Sequence, residues 1–414
     1  MFDAVVACLV LTALLAYLNH RFVKLPISIG VMGIALLFSF VLMGLDMAGF
    51  SWLRDSQESL LQSIDFSDLV MQGMLSLLLF AGALHVDLSE LKAYKWQVGA
   101  LAFFGTMLTA GLVGFGLWII VSMTGFPLPF WYCLIFGALI SPTDPIAVMG
   151  ILRSVGAPTS IEIVITGESL FNDGVAVVLF AVLLAVIVGG NAPTLGGTGL
   201  LLLREGGGGI VLGIVLGWVT FWMIKSIDSY QEEVLLTLAA VLGGYALASR
   251  LHVSGPIVAV VIGLIIGNHG RALAMSDKSR RHLDSFWALL DAILNAVLFM
   301  LLGLQFVMLE FPRALVLPAA AEIGLTLFAR LLSVAAAIRL VGRAFDLPKG
   351  AWKVLTWSGL RGGISVALAL SLPAGPHREV VLSLTYAVVV FSILVQGLTI
   401  KRLVRAQKWR PPKS

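Results

Sequence analysis

The chain has 414 residues, 59% of them hydrophobic and only 12% charged, with 27 Lys and Arg against 23 Asp and Glu. A soluble domain carries roughly 25% charged residues, so this composition excludes a soluble globular protein and points to an all-α polytopic membrane protein. The two cysteines, Cys8 and Cys133, both lie in apolar runs, which excludes a disulfide framework and a thiolate metal site and reads as two buried structural thiols.

At about 1.5 Å of rise per residue, roughly 20 apolar residues cross the hydrocarbon. Thirteen segments qualify: residues 2–19, 25–44, 66–85, 97–124, 128–152, 159–189, 207–224, 232–249, 253–268, 284–308, 314–341, 351–372 and 379–400. The first lacks a basic leader and a small-residue cleavage site, so it reads as a retained helix and not a signal peptide. The polar stretch 51–65 is expected at the surface, and residues 401–414 are expected to be a short basic cytoplasmic tail and not a regulatory domain.

Charge placement tests the count. Twenty of the 27 Lys and Arg fall in the odd-numbered connections and the tail, five (Arg54, Arg204, Arg250, Arg313, Arg378) on the other side, and Arg330 and Arg361 within spans. The positive-inside rule then puts the N-terminus outside and the C-terminus in the cytoplasm. The basic stretch 271–282 reads as an inner loop, with contact to the anionic head groups of membrane lipid as the lesser alternative.

Two spans cannot be plain helices. Span five carries Ser141-Pro142-Thr143-Asp144-Pro145, whose prolines remove backbone donors and free upstream carbonyls. Span twelve carries Ser358-Gly359-Leu360-Arg361-Gly362-Gly363. Taking about 2–189 and 232–400 as two six-helix repeats, with 207–224 as a linker helix, each break falls in the fifth helix of its repeat. Because one span intervenes, the repeats are inverted, an arrangement that sets an ion site near the midplane where broken helices meet.

Charge inside such spans is costly, roughly 2.5 to 3.5 kcal/mol even on lenient scales, and marks ion or proton pathways. Counting from the cytoplasmic ends puts Asp144 at roughly 12 Å, Glu168 at about 14 Å, Arg361 at about 15 Å and Asp173 at about 21 Å. In Gly167-Glu168-Ser169-Leu170-Phe171-Asn172-Asp173-Gly174, Ser169 and Asp173 share one helix face, while Glu168 and Asn172 share the next.

Carboxylate, hydroxyl, amide and freed carbonyl oxygens suit a hard monovalent cation such as Na⁺ and disfavour a transition metal. Desolvation favours the neutral form of a carboxylic acid, so one site can hold either a proton or a cation, and competition between them gives exchange. Asp173 is the expected titrating ligand, with Ser169 and Thr143 as neutral ligands and Asp144 further out or linked through water. Arg361 and Glu168 are expected to form a structural ion pair, and Arg330 a second with Asp291. His85 and Asp87 read as interfacial, and Glu322 as snorkelling or capping at the outer end of its span. No phosphate loop, zinc motif or Ser-Lys pair stands out, so neither an enzyme, a cofactor nor a nucleic-acid partner is expected.

These residues are identified by their resemblance to a family. Ser-Pro-Thr-Asp-Pro, Gly-Glu-Ser-Leu-Phe-Asn-Asp-Gly and Gly-Leu-Arg-Gly-Gly-Ile-Ser, in this order and spacing, resemble the monovalent cation/proton antiporter-1 family, that of the bacterial NhaP-type antiporters and the animal Na⁺/H⁺ exchangers. The resemblance covers essentially the whole chain. It implies a homodimer of thirteen-helix protomers with the Na⁺/H⁺ antiporter fold, each with a dimer domain and a core domain that moves like an elevator. It implies the ion-site roles of Thr143, Asp144, Ser169 and Asp173, and the Glu168–Arg361 pair. Asn172 stands where related electrogenic antiporters carry a second Asp, which implies electroneutral one-for-one exchange. Phe80-Ala81 departs from a Phe-Glu common in bacterial relatives, so any ligand role of that Glu is absent. The exchanged cation is expected to be Na⁺, with Li⁺ or K⁺ as alternatives; a K⁺-preferring K⁺/H⁺ antiporter and a cation channel are the rival readings.

Overall fold

The computed structural model describes residues 2–47, 74–125, 128–189, 199–200, 203–306, 312–407 and 409. They are helical nearly throughout, and no strand occurs among them. In chain order the helices are α1 (Phe2–Leu18), α2 (Ile27–Met47), α3 (Leu75–Leu84), α4 (Leu88–Ala93), α5 (Lys95–Thr124), α6 (Phe130–Ile140), α7 (Ile146–Ser154) and α8 (Thr159–Gly189). There follow α9 (Leu203–Lys225), α10 (Tyr230–Leu251), α11 (Gly255–Leu273), α12 (Asp277–Gln305), α13 (Val316–Val341), α14 (Ala351–Trp357), α15 (Gly363–Leu370) and α16 (Pro376–Ala406).

Among the described residues ten helices are long and apolar enough to cross a membrane, which is a smaller number than the thirteen spans expected. The difference has two sources. Spans five and twelve are each cut into two short helices, α6–α7 and α14–α15, and only 74–85 of span three is described. The polar stretch 51–65 lies outside the described residues.

Where the chain leaves a helix, local chemistry explains it. Asp87 caps α4 by accepting the Ser89 N–H at 2.7 Å and the Glu90 N–H at 3.3 Å, and these two donors hold its carboxyl below the usual carboxylate range. Packing in a membrane lacks a strong hydrophobic drive between helices, so close backbone approach matters more. On α6, a Cβ added at Gly137 would fall 2.1 Å from the Ala110 carbonyl of α5, so only glycine lets these two helices touch.

The helices sort into two packed groups. In one, α11 packs on α3, α9 and α10, and α12 packs on α1 and α2. Trp287 of α12 and Phe80 of α3 meet there with tilted rings, 4.4 Å between centroids. In the other, α5 packs on α6 and α13, α8 on α6, and α15 on α16. The seam between them, where α12 meets α15 and α8 meets α11, is where the polar residues collect.

Candidate ion site at two crossed helix breaks

The end of α6 is dictated by its prolines. The Ser141 carbonyl would accept from residue 145 in a continuing helix, but Pro145 has no N–H. Arg361 supplies the missing donor: its Nη1 reaches the Ser141 carbonyl at 2.8 Å and the Pro142 carbonyl at 2.9 Å. The partner that Pro142 loses, the Ile146 N–H, turns instead to Asp144 Oδ1 at 2.9 Å. A guanidinium beside freed carbonyls at a helix C-terminus also meets the negative end of the helix dipole.

The second break is tied to the first. The Asp144 N–H donates to the Leu360 carbonyl at 2.7 Å, and the Arg361 N–H donates to Ser392 Oγ of α16 at 2.8 Å. Here the backbone of 359–362 is not helical, and a Cβ on Gly362 would sit 2.3 Å from Asp144 Oδ2. Glycine at 362 is therefore what allows the two unwound segments to cross.

The helix α8 presents its polar residues to this crossing. Ser169 Oγ donates to the Thr143 carbonyl, and Asn172 Nδ2 donates to Thr143 Oγ1 at 2.9 Å. Asp173 is 9% exposed and, among the described residues, forms no ion pair. With Thr143, Asp144 and Ser169 it lines a cavity of about 370 Å³ that also borders His85 and Arg153, the latter exposed and paired with Glu162 at 3.4 Å.

The expected ion pairs are corrected. Glu168 is paired with Arg330 of α13, not with Arg361: both guanidinium Nη atoms bond its carboxylate, the Nη2–Oε2 contact at 2.9 Å. Arg330 also donates to the Leu355 carbonyl from Nε at 3.2 Å and Nη2 at 2.9 Å. Asp291 consequently has no bond to Arg330; its Oδ1 accepts from Asn295 Nδ2 at 3.0 Å. Depth counting places a residue along the membrane normal but leaves its direction around the helix open. The unwound backbone aims Arg361 at α6 carbonyls and leaves Glu168 to the arginine on α13. Glu322, expected to snorkel or cap, is 0% exposed, and neither of its carboxylate oxygens is hydrogen-bonded.

Sequence reasoning missed the wall of the cavity formed by Asp291 and Asn295 on α12 and Ser365 on α15. The signal was present: Asp291 and Asn295 are four apart in an apolar helix, one shared face of the kind that identified Ser169 and Asp173. Ala81 of the Phe80-Ala81 pair is buried in apolar packing on α3.

Two interrupted helices that cross in a membrane, with a carboxylate beside freed carbonyls, define an ion-coupled secondary transporter. The sodium/hydrogen exchanger transmembrane model matches residues 10–406, and the chain belongs to that family. It is 53% identical over 409 residues to the Na⁺/H⁺ antiporter NhaP of Pseudomonas aeruginosa, covering 98% of this chain and 96% of that one. Against the Na⁺/H⁺ antiporter NhaH of Halobacillus dabanensis the identity is 35% over 404 residues, with 92% and 95% covered. The solved structure of the sodium proton antiporter MjNhaP1 from Methanocaldococcus jannaschii at pH 8 shares the fold, with a TM-score of 0.77 at 20% identity over 98% of each chain.

Proposed function

We propose that this protein is a secondary antiporter exchanging Na⁺ for H⁺, one for one, at Asp173. The observation that carries the reading is the contrast between two carboxylates on α8. Glu168 is neutralised by Arg330, whereas Asp173 faces a cavity without a basic partner, beside Ser169 and the Thr143 carbonyl. A buried carboxylate left without a cation is expensive, and either a proton or a metal ion relieves it. Because the two compete for the same oxygens, the site returns loaded in both directions and couples the fluxes.

Asp173, Ser169 and Thr143 hold the cation, Asp144 faces it across the cavity, and Asn172 positions Thr143 through its hydroxyl. Asn172 is an amide and carries no proton across, which supports electroneutral exchange. The protein works without a cofactor and catalyses no covalent reaction. It forms a homodimer in a bacterial inner membrane, N-terminus outside and C-terminus in the cytoplasm. Its two helix groups move past one another, and the two inverted repeats supply one broken helix each. The names of the relatives above, sodium/proton antiporters, favour Na⁺ over a K⁺-preferring exchanger and over a channel.

In proteoliposomes carrying a pH-sensitive dye, Na⁺ pulses are expected to drive proton movement that saturates with Na⁺ and is unchanged when the membrane potential is clamped. Proton movement that follows the potential would refute one-for-one exchange, and its absence with Na⁺ would refute the substrate.

A further inference from the structure

The cavity that Asp173 lines is also lined by polar residues of α12 and α15 that the proposed exchange leaves unused. Asp291 and Asn295 sit one turn apart on α12, and Ser365 lies in the first turn of α15. Asn295 is 1% exposed. Its Nδ2 donates to Asp291 Oδ1 at 3.0 Å and to the Asp291 carbonyl at 2.9 Å, while its own Oδ1 is a buried acceptor without a donor. Ser365, also 1% exposed, has an Oγ that makes no hydrogen bond. The two helices are pressed together at this level: a Cβ on Gly363 would fall 2.5 Å from the side chain of Leu298, one turn beyond Asn295.

Buried polar atoms are almost always satisfied, so two orphaned oxygens on one cavity wall need an account. Asp291 beside them makes no ion pair among the described residues. A carboxylate, an amide oxygen and a hydroxyl are the oxygen ligands that hard monovalent cations take, and no thiolate or imidazole competes in the set.

We propose that Asp291, Asn295 and Ser365 form a second subsite for a monovalent cation in this cavity, from which the ion passes to Asp173; the inference rests on the antiport reading above. The subsite lies largely on α12, in the opposite helix group from Asp173. It gathers the ion before α8 takes it: Asp291 and Asn295 belong to the other group, and Ser365 on α15 joins them from the group of α8.

Two measurements test it. In proteoliposomes Asp291→Asn is expected to raise the apparent KM for Na⁺ about tenfold while the maximal rate stays within about twofold. Asp291→Glu should recover the wild-type KM, and Asn295→Leu and Ser365→Ala should raise it by smaller factors. Independently, the melting temperature of the detergent-purified full chain is followed against Na⁺, with choline keeping the ionic strength constant. Asp173→Asn should retain a Na⁺-dependent rise that Asp173→Asn/Asp291→Asn loses.

An unchanged KM in Asp291→Asn overturns the subsite. So does a lower melting temperature with KM intact, the outcome if Asp291 merely offsets the positive N-terminal end of α15. The two readings fail separately. Wild-type exchange with an unaffected Asp291→Asn removes the subsite alone, whereas Na⁺ stabilisation of Asp173→Asn without any wild-type exchange keeps the subsite and removes antiport.

Discussion

Glu168 and Asp173 stand five residues apart on α8, and their fates are set by what faces them. Arg330 takes both oxygens of Glu168 and is itself fixed by the Leu355 carbonyl. Removing one member of a buried pair strands the other charge, at a cost of about 3–5 kcal/mol, whereas removing both can be nearly neutral. Arg330→Gln is therefore expected to lower thermal stability sharply in detergent, and Glu168→Gln/Arg330→Gln to regain most of it. A double variant no better than Arg330→Gln would mean that Glu168 is not the group left stranded. Much of this residue-level arrangement was legible. The spacing of Ser169, Asn172 and Asp173, together with the prolines around Thr143, pointed to one meeting place, and the structure brings these residues together. The arginine partners were not legible, because the direction of Arg361 depends on an unwound backbone whose path no helical periodicity describes.

At the scale of elements, the two breaks hold each other in place. α6 lacks donors for its last carbonyls, the segment before α15 brings a guanidinium to them, and the Asp144 N–H closes the link to Leu360. Such a crossing requires the two backbones to come within contact distance, as the Asp144 N–H and the Leu360 carbonyl do at 2.7 Å, and Gly362 leaves the room that the Asp144 side chain occupies. Gly362→Ala forces its methyl against Asp144 and is expected to cost about 1–3 kcal/mol. It should also slow Na⁺-driven proton movement more than it lowers the yield of inserted protein. Full exchange in that variant would show that the crossing tolerates an extra carbon. Helix positions were largely legible from apolar length alone, since α5, α8, α9 and α13 begin and end within a few residues of the expected spans. The split of spans five and twelve was signalled by Pro142, Pro145, Gly359 and Gly362. What the pattern could not supply was the pairing between the breaks, a contact between residues more than two hundred positions apart.

Across the whole molecule, the candidate site lies at the seam between the two helix groups. Asp173 sits on α8 in one packed helix group and Asp291 on α12 in the other, so the cavity they share is lined from both groups. Composition and charge bias made the membrane class legible, and the three motifs made the family legible; neither revealed that the cavity has a second polar wall. The central claim is that Asp173 is the one carboxylate that takes the proton and the exchanged ion in turn. It is tested most directly by Asp173→Asn in proteoliposomes with a pH-sensitive dye, alongside wild-type protein reconstituted to the same density. The account predicts that Na⁺-driven proton movement disappears while the variant inserts and melts as the wild type does. Proton movement at the wild-type rate in Asp173→Asn would contradict it.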